Sequence, residues 1–311
     1  MAILLDIRPR TVADGFRLPE SLRWHAGRLW MSDMDGGAVY FVSANGQELV
    51  CEVPTQPSGL GWDQEGRLLI VSQLDAALLR YERGSLTQVA DLKPAMWRHG
   101  GDVRPNDMYV DAEGFAYIGS ASFHVVDGCL VGEDSHPTPL VRVAPDGRVD
   151  TLTENLRCPN GIVPALSGDG IVVAETRSAR LVRIVPGEGD RTSAAVAEYA
   201  RCVSGPDGMC NDPSGGIWVA FPFASSVQRI DLAGAVSAEI YLGGRVPLDC
   251  TLGGPEGTTL LVASVAEIDH LGTSRTGRID AYELGDSPSY DASQSGSPIA
   301  LGSENRHGGT A

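Results

Sequence analysis

The chain lacks any long apolar run, carries little positive charge and shows almost no helical periodicity. None of its apolar stretches approaches the roughly 20 residues that a membrane-spanning helix needs, so a membrane partner is not expected. Lys and Arg number 24 against 40 Asp and Glu, which leaves a net charge of −16. Because nucleic acids and anionic membranes are negatively charged, so acidic a chain is not expected to bind either.

The six cysteines are scattered, and no two of them form a Cys-x-x-Cys pair. This spacing is not typical of a structural zinc site or of a disulfide framework. The apolar stretch MAILL at the start is too short for a secretory signal, and its charges follow rather than precede it. We therefore expect mostly buried thiols and a cytoplasmic location.

The chain does contain a repeat of short strand patterns. Six segments share a turn, an apolar strand, a short polar turn and an alternating strand, and they begin near Gly27, Gly66, Gly114, Gly170, Gly215 and Thr259. A repeat of roughly 40 to 55 residues with several strands in each unit is typical of a β-propeller. The sequence therefore predicts an all-β fold with one domain, a six-bladed β-propeller over residues 1–285.

The two ends of the chain differ from the repeat. The N-terminal segment TVADGF resembles the end of a repeat unit rather than its beginning. We expect it to supply the outermost strand of the last blade and to close the ring, because closure removes exposed sheet edges. Residues 286–311, rich in Ser, Gly and Pro, are expected to form a disordered tail.

A second repeat lies just upstream of each unit, where a Pro or Gly is followed by one polar residue. This position is occupied by Glu20, Ser58, Asn106, Asn160, Asp207 and, in the last unit, Leu248 or Asp249. The first strand of each propeller blade is innermost, so equivalent positions converge at one end of the channel. We therefore expect a ring of these residues. Taken alone, Asn160-Gly161 and Asp207-Gly208 are also common turn dipeptides.

Three members of the ring offer oxygen donors: the carboxylates of Glu20 and Asp207 and the amide of Asn160. Oxygen ligands suit a hard divalent cation, with water completing its coordination. The sequence therefore predicts a site for one divalent cation, with a central position in the propeller. Asn106 is a further candidate, directly or through water, although after a proline it can equally bond the backbone.

Further candidates surround this position. Arg104 lies at the same end, where its guanidinium can bind a carboxylate or hydroxylated substrate, and a surface ion pair is the alternative. Strand ends on this face are expected to line the substrate pocket, among them Phe123, His124, Glu175 and Phe221. His124 is also a candidate general base. No Ser-His-Asp arrangement is recognisable, so a serine nucleophile is not expected.

Several segments carry a resemblance to a known family, namely GPDGMCNDPSGGIWVA, RPNDMYVDAEGFAYIGS, CPNGIV, LPESLRWHAGRLWMSD and CTLGGPEGTTLLVAS. In this order they resemble the senescence marker protein, gluconolactonase and luciferin-regenerating enzyme family, which includes regucalcin. The resemblance spans roughly residues 14 to 285. It implies a six-bladed propeller and lactone hydrolysis with a calcium, zinc, magnesium or manganese ion, of which we expect calcium first.

The resemblance also implies roles for individual residues. Glu20, Asn160 and Asp207 would be the metal ligands, Asp207 would also be the catalytic acid–base, and Arg104 and Asn106 would contact the substrate. Some members carry a glutamate after the apolar strand of the third blade, where this chain reads ASFH over 121–124. The long segment that follows, 125–139, could cap the pocket, and the aromatic residues favour a less polar substrate than gluconolactone.

The sequence is compatible with three functions. The first is a metal-dependent lactonase in which the ion acts as a Lewis acid and Asp207 as general base. The second is a metal-dependent isomerase, cyclase or lyase acting on a secondary metabolite, and the third is a non-enzymatic binding propeller. The expected partner is a small-molecule substrate, a lactone in the first case, and a closed ring is compatible with a monomer or a homodimer.

Overall fold

The structure is a computed structural model that describes residues 2–43, 46–97, 103–126, 129–132, 136–187, 194–267 and 274–285. The predicted tail, 286–311, lies outside the described residues. Within the described ranges, no helix has both the length and the apolar character needed to cross a membrane.

Strands make up most of the described chain. In chain order they are β1 (Ile3–Leu4), β2 (Arg10–Phe16), β3 (Pro19–His25), β4 (Arg28–Asp33), β5 (Ala38–Ser43), β6 (Gly46–Glu52), β7 (Pro57–Trp62), β8 (Leu68–Ser72), β9 (Ala77–Glu82), β10 (Ser85–Asp91), β11 (Arg104–Val110), β12 (Ala116–Ala121), β13 (Phe123–Val126), β14 (Cys129–Gly132), β15 (Thr138–Val143), β16 (Val149–Leu156), β17 (Pro159–Pro164), β18 (Ile171–Glu175), β19 (Arg180–Pro186), β20 (Ala194–Arg201), β21 (Met209–Asp212), β22 (Gly216–Phe221), β23 (Ser226–Asp231), β24 (Val236–Tyr241), β25 (Val246–Gly253), β26 (Thr259–Val265) and β27 (Gly277–Glu283). A short helix, α1 (Lys93–Met96), and 3₁₀ turns at Thr176–Ser178 and Pro222–Ala224 accompany them.

The strands form six antiparallel blades in the part of the chain that the structure describes. In order from the first blade they are β3–β6, β7–β10, β11-β12-β15-β16, β17–β20, β21–β24 and β25-β26-β27-β2. A separate hairpin, β13-β14, is inserted into the third blade. The predicted all-β, six-bladed propeller is confirmed.

The N-terminal segment closes the ring by bonding two neighbouring blades. Strand β2 is the outermost strand of the sixth blade and pairs antiparallel with β27, as the sequence predicted. Strand β1 pairs in parallel with β24 of the fifth blade, through Ile3 beside Ala238. The Thr11 hydroxyl also donates to Oδ1 of Asp280 at 2.7 Å. The segment therefore joins the beginning of the chain to both of its last two blades.

The core lies between adjacent blades. Leu69 and Leu78 of the second blade, for example, pack in one cluster with Met108 and Ile118 of the third. Burying a side chain of this kind contributes about 1.5–3 kcal/mol. Because every blade is held on both faces in this way, the inner strands have fixed positions around the channel.

Candidate functional site

Each of the six innermost strands, β3, β7, β11, β17, β21 and β25, has a proline within three residues of its start. These residues are Pro19, Pro57, Pro105, Pro159, Pro206 and Pro247. One edge of each inner strand faces the channel, where no neighbouring strand of the blade needs an N–H, so proline is tolerated there. We call the end of the channel where these strands begin the site end.

A β-bulge follows the proline in five of the inner strands. The pairing with the second strand of the blade shifts between Glu20 and Arg23, Pro57 and Leu60, Pro105 and Met108, Pro159 and Ile162, and Pro247 and Asp249. A bulge re-aims side chains and is common beside functional sites. Asn160-Gly161 therefore lies in a bulged strand, and the turn interpretation of this dipeptide is wrong.

The Asp207-Gly208 dipeptide continues the pairing of the fifth blade. The amide of Asp207 donates to the carbonyl of Ala220, and the amide of Ala220 donates to the carbonyl of Gly208, both at 2.9 Å. A Cβ on Gly208 would lie 2.0 Å from Oδ1 of Asp249 on the sixth blade. Glycine is required here by the close approach of two inner strands, so the turn interpretation is wrong at this position too.

A chain of side-chain hydrogen bonds joins four members of the predicted ring across four blades. The hydroxyl of Ser58 donates to Oδ1 of Asn106 at 3.1 Å. Nδ2 of Asn106 donates to Oδ1 of Asn160 at 3.0 Å, and Nδ2 of Asn160 donates to Oδ1 of Asp207. Residues far apart in sequence are thus neighbours at the site end.

Glu20 interacts electrostatically with the acidic residues at the site end. Burial raises the pKa of Glu20 well above its usual range, and nearby negative charges raise it further, in order of effect Asp207, Asp249 and Asp107. Burial likewise raises the pKa of Asp207 well above its usual range, and the charges of Asp249 and Asp107 raise it further. The hydrogen bond from Asn160 lowers it. The carboxylates at the site end therefore repel one another without full compensation from the protein.

The predicted metal ligands at the site end are two carboxylates and one amide. Among the described residues no group of three or more His, Cys, Asp and Glu side chains is arranged to hold a metal ion. Glu20, Asn160 and Asp207 make a different set, in which the third oxygen belongs to an amide. Such a set fits a hard divalent cation, because oxygen donors match its preference and its charge offsets the repulsion between carboxylates.

Three charged residues deeper in the channel were not recognised as a group from the sequence. The guanidinium of Arg23 bonds Oδ1 of Asp107 at 2.5 Å and approaches Oδ2 of Asp249 at 3.5 Å. Burial raises the pKa of Asp249 to about 7, although the charge of Arg23 opposes this shift. Arg23 and Asp107 lie on inner strands shortly after the ring position, and Asp249 is one of the two candidates for that position in the last unit; this shared placement is the signal that could have found the group.

Arg104 stands at the start of β11, at the site end. Its Nη1 donates to Oε1 of Gln56 at 3.4 Å, and Nε2 of Gln56 donates to Oδ1 of Asp35 at 2.8 Å. Gln56 and Asp35 also line a groove of about 400 Å³ between the first two blades, together with Met34, Gly36, Gly37, Ala38, Tyr40, Leu49, Glu52, Pro54 and Leu74. Gln56 therefore lies between Arg104 and this groove.

The structure corrects two predicted pocket residues. Glu175 is 1% exposed, and its carboxylate accepts hydrogen bonds from the Arg157 amide at 2.8 Å, the Ser178 hydroxyl at 2.7 Å and Nε of Arg180 at 2.6 Å. Glu175 thus ties a loop together. Phe221 is fully buried in the core between the fourth and fifth blades. A side chain without exposed surface cannot contact a substrate in this conformation, so both predictions are wrong.

Other aromatic and hairpin residues remain at the site end. Phe223, in the 3₁₀ turn after β22, is 61% exposed. The hairpin β13-β14 leaves the third blade directly after Ala121, which pairs with Arg104. The side chains of Phe123 and His124 lie outside the described part of the structure, so their contacts stay predictions. The backbone nevertheless starts this hairpin beside the site.

The fold and the site define a six-bladed β-propeller with an oxygen-rich group of side chains at one end of its channel. The sequence profile described as SMP-30/Gluconolactonase/LRE-like region matches residues 18–266. The chain therefore belongs to the SMP-30/gluconolactonase/LRE-like family. A search of curated protein sequences found no match.

Solved structures agree in architecture. The calcium-binding protein regucalcin from Agrobacterium tumefaciens str. C58 has a TM-score of 0.73 at 20% identity, covering 91% of this chain and 96% of its own. A luciferin-regenerating enzyme has a TM-score of 0.72 at 17% identity, covering 89% and 96%. A gluconolactonase from Xanthomonas campestris has a TM-score of 0.70 at 19% identity, covering 90% and 91%. Fold does not fix chemistry, so the function must be argued from the site.

Proposed function

We propose that this protein is a lactonase that depends on a divalent cation and hydrolyses a cyclic ester. The observations that support the proposal are the hydrogen bond from Asn160 to Asp207 and the electrostatic interaction of Glu20 with Asp207, which link residues of the first, fourth and fifth blades. Membership of a family named in part for gluconolactonases supports the reaction class. The description of one structural relative as a calcium-binding protein supports calcium as the first candidate ion.

Glu20, Asn160 and Asp207 would hold the ion. The ion, when bound, supplies Lewis-acid stabilisation of the negative charge that develops on the ester carbonyl. Calcium suits a set of oxygen donors completed by water, and zinc, manganese and magnesium are the alternatives to test. Oδ1 of Asn160 already accepts a hydrogen bond from Nδ2 of Asn106, so its second lone pair would supply the neutral donor to the ion.

Asp207 is the proposed general base. Its Oδ1 accepts a hydrogen bond from Asn160, which fixes the orientation of the carboxylate. We assign Oδ2 the task of taking a proton from the attacking water and returning it to the leaving alkoxide. General base catalysis of this kind contributes about 10²–10⁴-fold to the rate.

Arg104 and Asn106 are the proposed substrate contacts. Gln56 holds the guanidinium of Arg104 on one side, and the amide of Asn106 is fixed by Ser58, Gln73 and Asn160. Held donors of this type can orient hydroxyl or carbonyl oxygens of a substrate without losing much side-chain entropy on binding. The exposed ring of Phe223 at the same end favours a substrate with an apolar portion.

The test is hydrolysis of sugar, aliphatic and aromatic lactones in oxygen-18 water by the metal-loaded protein and by Asp207→Asn. The proposal predicts one labelled oxygen in the product carboxylate and a rate lower by about 100-fold or more in the variant. Product formation without the label would instead support the isomerase, cyclase or lyase alternative. A nearly normal rate in Asp207→Asn would refute its role as the base.

A further inference from the structure

Arg23 places a mostly buried cation among oxygen atoms inside the channel, with 20% of its side chain exposed. Nη2 donates to Oδ1 of Asp107 at 2.5 Å and to the carbonyl of Met108 at 2.8 Å. Nη1 donates to the carbonyl of Leu22 at 2.9 Å and approaches Oδ2 of Asp249 at 3.5 Å. The guanidinium therefore joins the first, third and sixth blades within a cage of four oxygens.

Both carboxylates in this cage are almost completely buried. The side chain of Asp249 is 0% exposed and that of Asp107 is 9% exposed. Burying a charge is costly unless it is paired and hydrogen-bonded, and removing one partner leaves the other uncompensated. Backbone amides add to the pairing: Leu22 donates to Asp249 at 2.6 Å, and Met108 donates to Asp107 at 2.8 Å.

The cage lies directly against the residues of the proposed site. Asp107 follows Asn106 in the chain, and its Oδ1 also accepts from the Ser21 hydroxyl at 3.3 Å, next to Glu20. Asp249 packs against the Cα of Gly208, the residue after Asp207, leaving no space for a Cβ. A displacement of either aspartate would therefore move the backbone that carries the site.

We propose that Arg23 is a positioning residue whose guanidinium supplies a permanent positive charge inside the channel. It holds Asp107 and Asp249 as structural carboxylates and leaves Glu20 and Asp207 for a single divalent ion. This inference rests on the proposed function, since it assumes that the site binds such an ion. It adds that the number of ions bound and their affinity are controlled by a residue that is not itself a ligand.

The test is calorimetric titration of Mn²⁺ into metal-depleted protein, with variants Arg23→Met and Arg23→Lys. The wild type is expected to bind one Mn²⁺. Arg23→Met is expected to bind a second, weaker Mn²⁺, because two carboxylates and two carbonyl oxygens then lack their cation. Adding Asp107→Asn and Asp249→Asn to that variant should return the number of bound ions to one.

Arg23→Lys keeps the charge but cannot span both aspartates, so it should bind one Mn²⁺ with a Kd weakened about tenfold. Arg229→Met is the matched control, because Arg229 makes a similarly buried ion pair with Asp212 at 2.5 Å on the fifth blade. It should reduce stability without changing the number of bound ions or the Kd.

Two results would overturn the inference. One is a folded Arg23→Met variant that binds a single Mn²⁺ with a Kd within about twofold of the wild type. If that variant does not fold, an Arg23→Lys variant with the wild-type Kd has the same meaning. A wild type that binds no Mn²⁺, calcium, zinc or magnesium would overturn the proposed function and, with it, this inference.

Discussion

Asn106 donates a hydrogen bond from Nδ2 to Oδ1 of Asn160 across 3.0 Å, although the two residues are 54 positions apart in the sequence. Asn160 in turn donates to Asp207, 47 positions further on. Each of these residues belongs to a different blade. The site is therefore formed by side chains from several blades, and a substitution at one of them should change the position of the residues bonded to it.

Replacing Asn106 with Ala removes the donor to Asn160 and the acceptor for Ser58 and Gln73. We expect the KM for a lactone to rise and the Mn²⁺ affinity to fall by about three- to tenfold each, the effect of one or two hydrogen bonds. Steady-state kinetics and calorimetry measure the two effects. Asn155→Ala, at an exposed position on β16, is the control. Unchanged values for both quantities in Asn106→Ala would contradict the proposed hydrogen-bonded chain.

Gln56 is expected to position Arg104. Its φ is +62°, a conformation that Asn tolerates well, so Gln56→Asn shortens the side chain without adding backbone strain. The shorter amide should lose its contact with Arg104, raising KM by about three- to tenfold with kcat and Mn²⁺ affinity nearly unchanged. Gln64→Asn, an exposed glutamine on the same blade, provides the comparison. A fall in kcat with a normal KM would argue against this role.

Gly208 and Gly285 offer a matched pair for the close packing of inner strands. A Cβ at Gly208 would overlap the carboxylate of Asp249, whereas one at Gly285 would meet nothing within 4 Å. We expect Gly208→Ala to lower the free energy of unfolding by about 2–3 kcal/mol and to weaken Mn²⁺ binding, with Gly285→Ala close to neutral. Urea unfolding measures the difference. Equal stability of the two variants would show that the strands can separate without cost.

The pH dependence of stability should carry a contribution from Asp35. Burial, and then the charge of Asp33, raise the pKa of Asp35 from 3.8 to about 6. The folded state then binds more protons than the unfolded state between these values, so the free energy of unfolding falls as the pH rises through this window. After allowance for solvent screening, the fall is about 1–2 kcal/mol.

Asp35→Asn should remove this part of the pH dependence while keeping an acceptor for Gln56. Urea unfolding at pH 4.5 and 7.5 should therefore give a smaller difference for the variant than for the wild type. Glu48→Gln, an exposed change on the same blade, should leave the wild-type difference intact. A variant that loses stability as steeply as the wild type would contradict the assignment to Asp35.

The repeat allowed the fold and most of the ring to be predicted, because each blade repeats the same physical problem. Every inner strand must begin with an edge that lacks a neighbour. Proline followed by a polar residue marks that position at Glu20, Ser58, Asn106, Asn160 and Asp207. In the last unit the sequence does not distinguish Leu248 from Asp249 as the ring residue. In the structure Leu248 packs in an apolar cluster, whereas Oδ2 of Asp249 lies 3.5 Å from the Arg23 guanidinium.

The errors have local causes. Phe221 ends a strand that is buried throughout, so the change from buried to exposed falls between it and Phe223, and the sequence does not mark that boundary. Glu175 pairs with Arg180 across a short turn, a contact that strand register could have suggested. The partners of Arg23 lie 84 and 226 positions away on other blades, and only the closed ring brings them together.

The most direct test of the central claim is lactone hydrolysis before and after removal of divalent ions. The wild type should lose activity on chelation and regain it when calcium, zinc, manganese or magnesium is restored. Glu20→Gln should require a much higher ion concentration for the same recovery, because one of two ligand charges is lost. Lactone hydrolysis that continues unchanged in the fully chelated protein would contradict a catalytic metal site built from Glu20, Asn160 and Asp207.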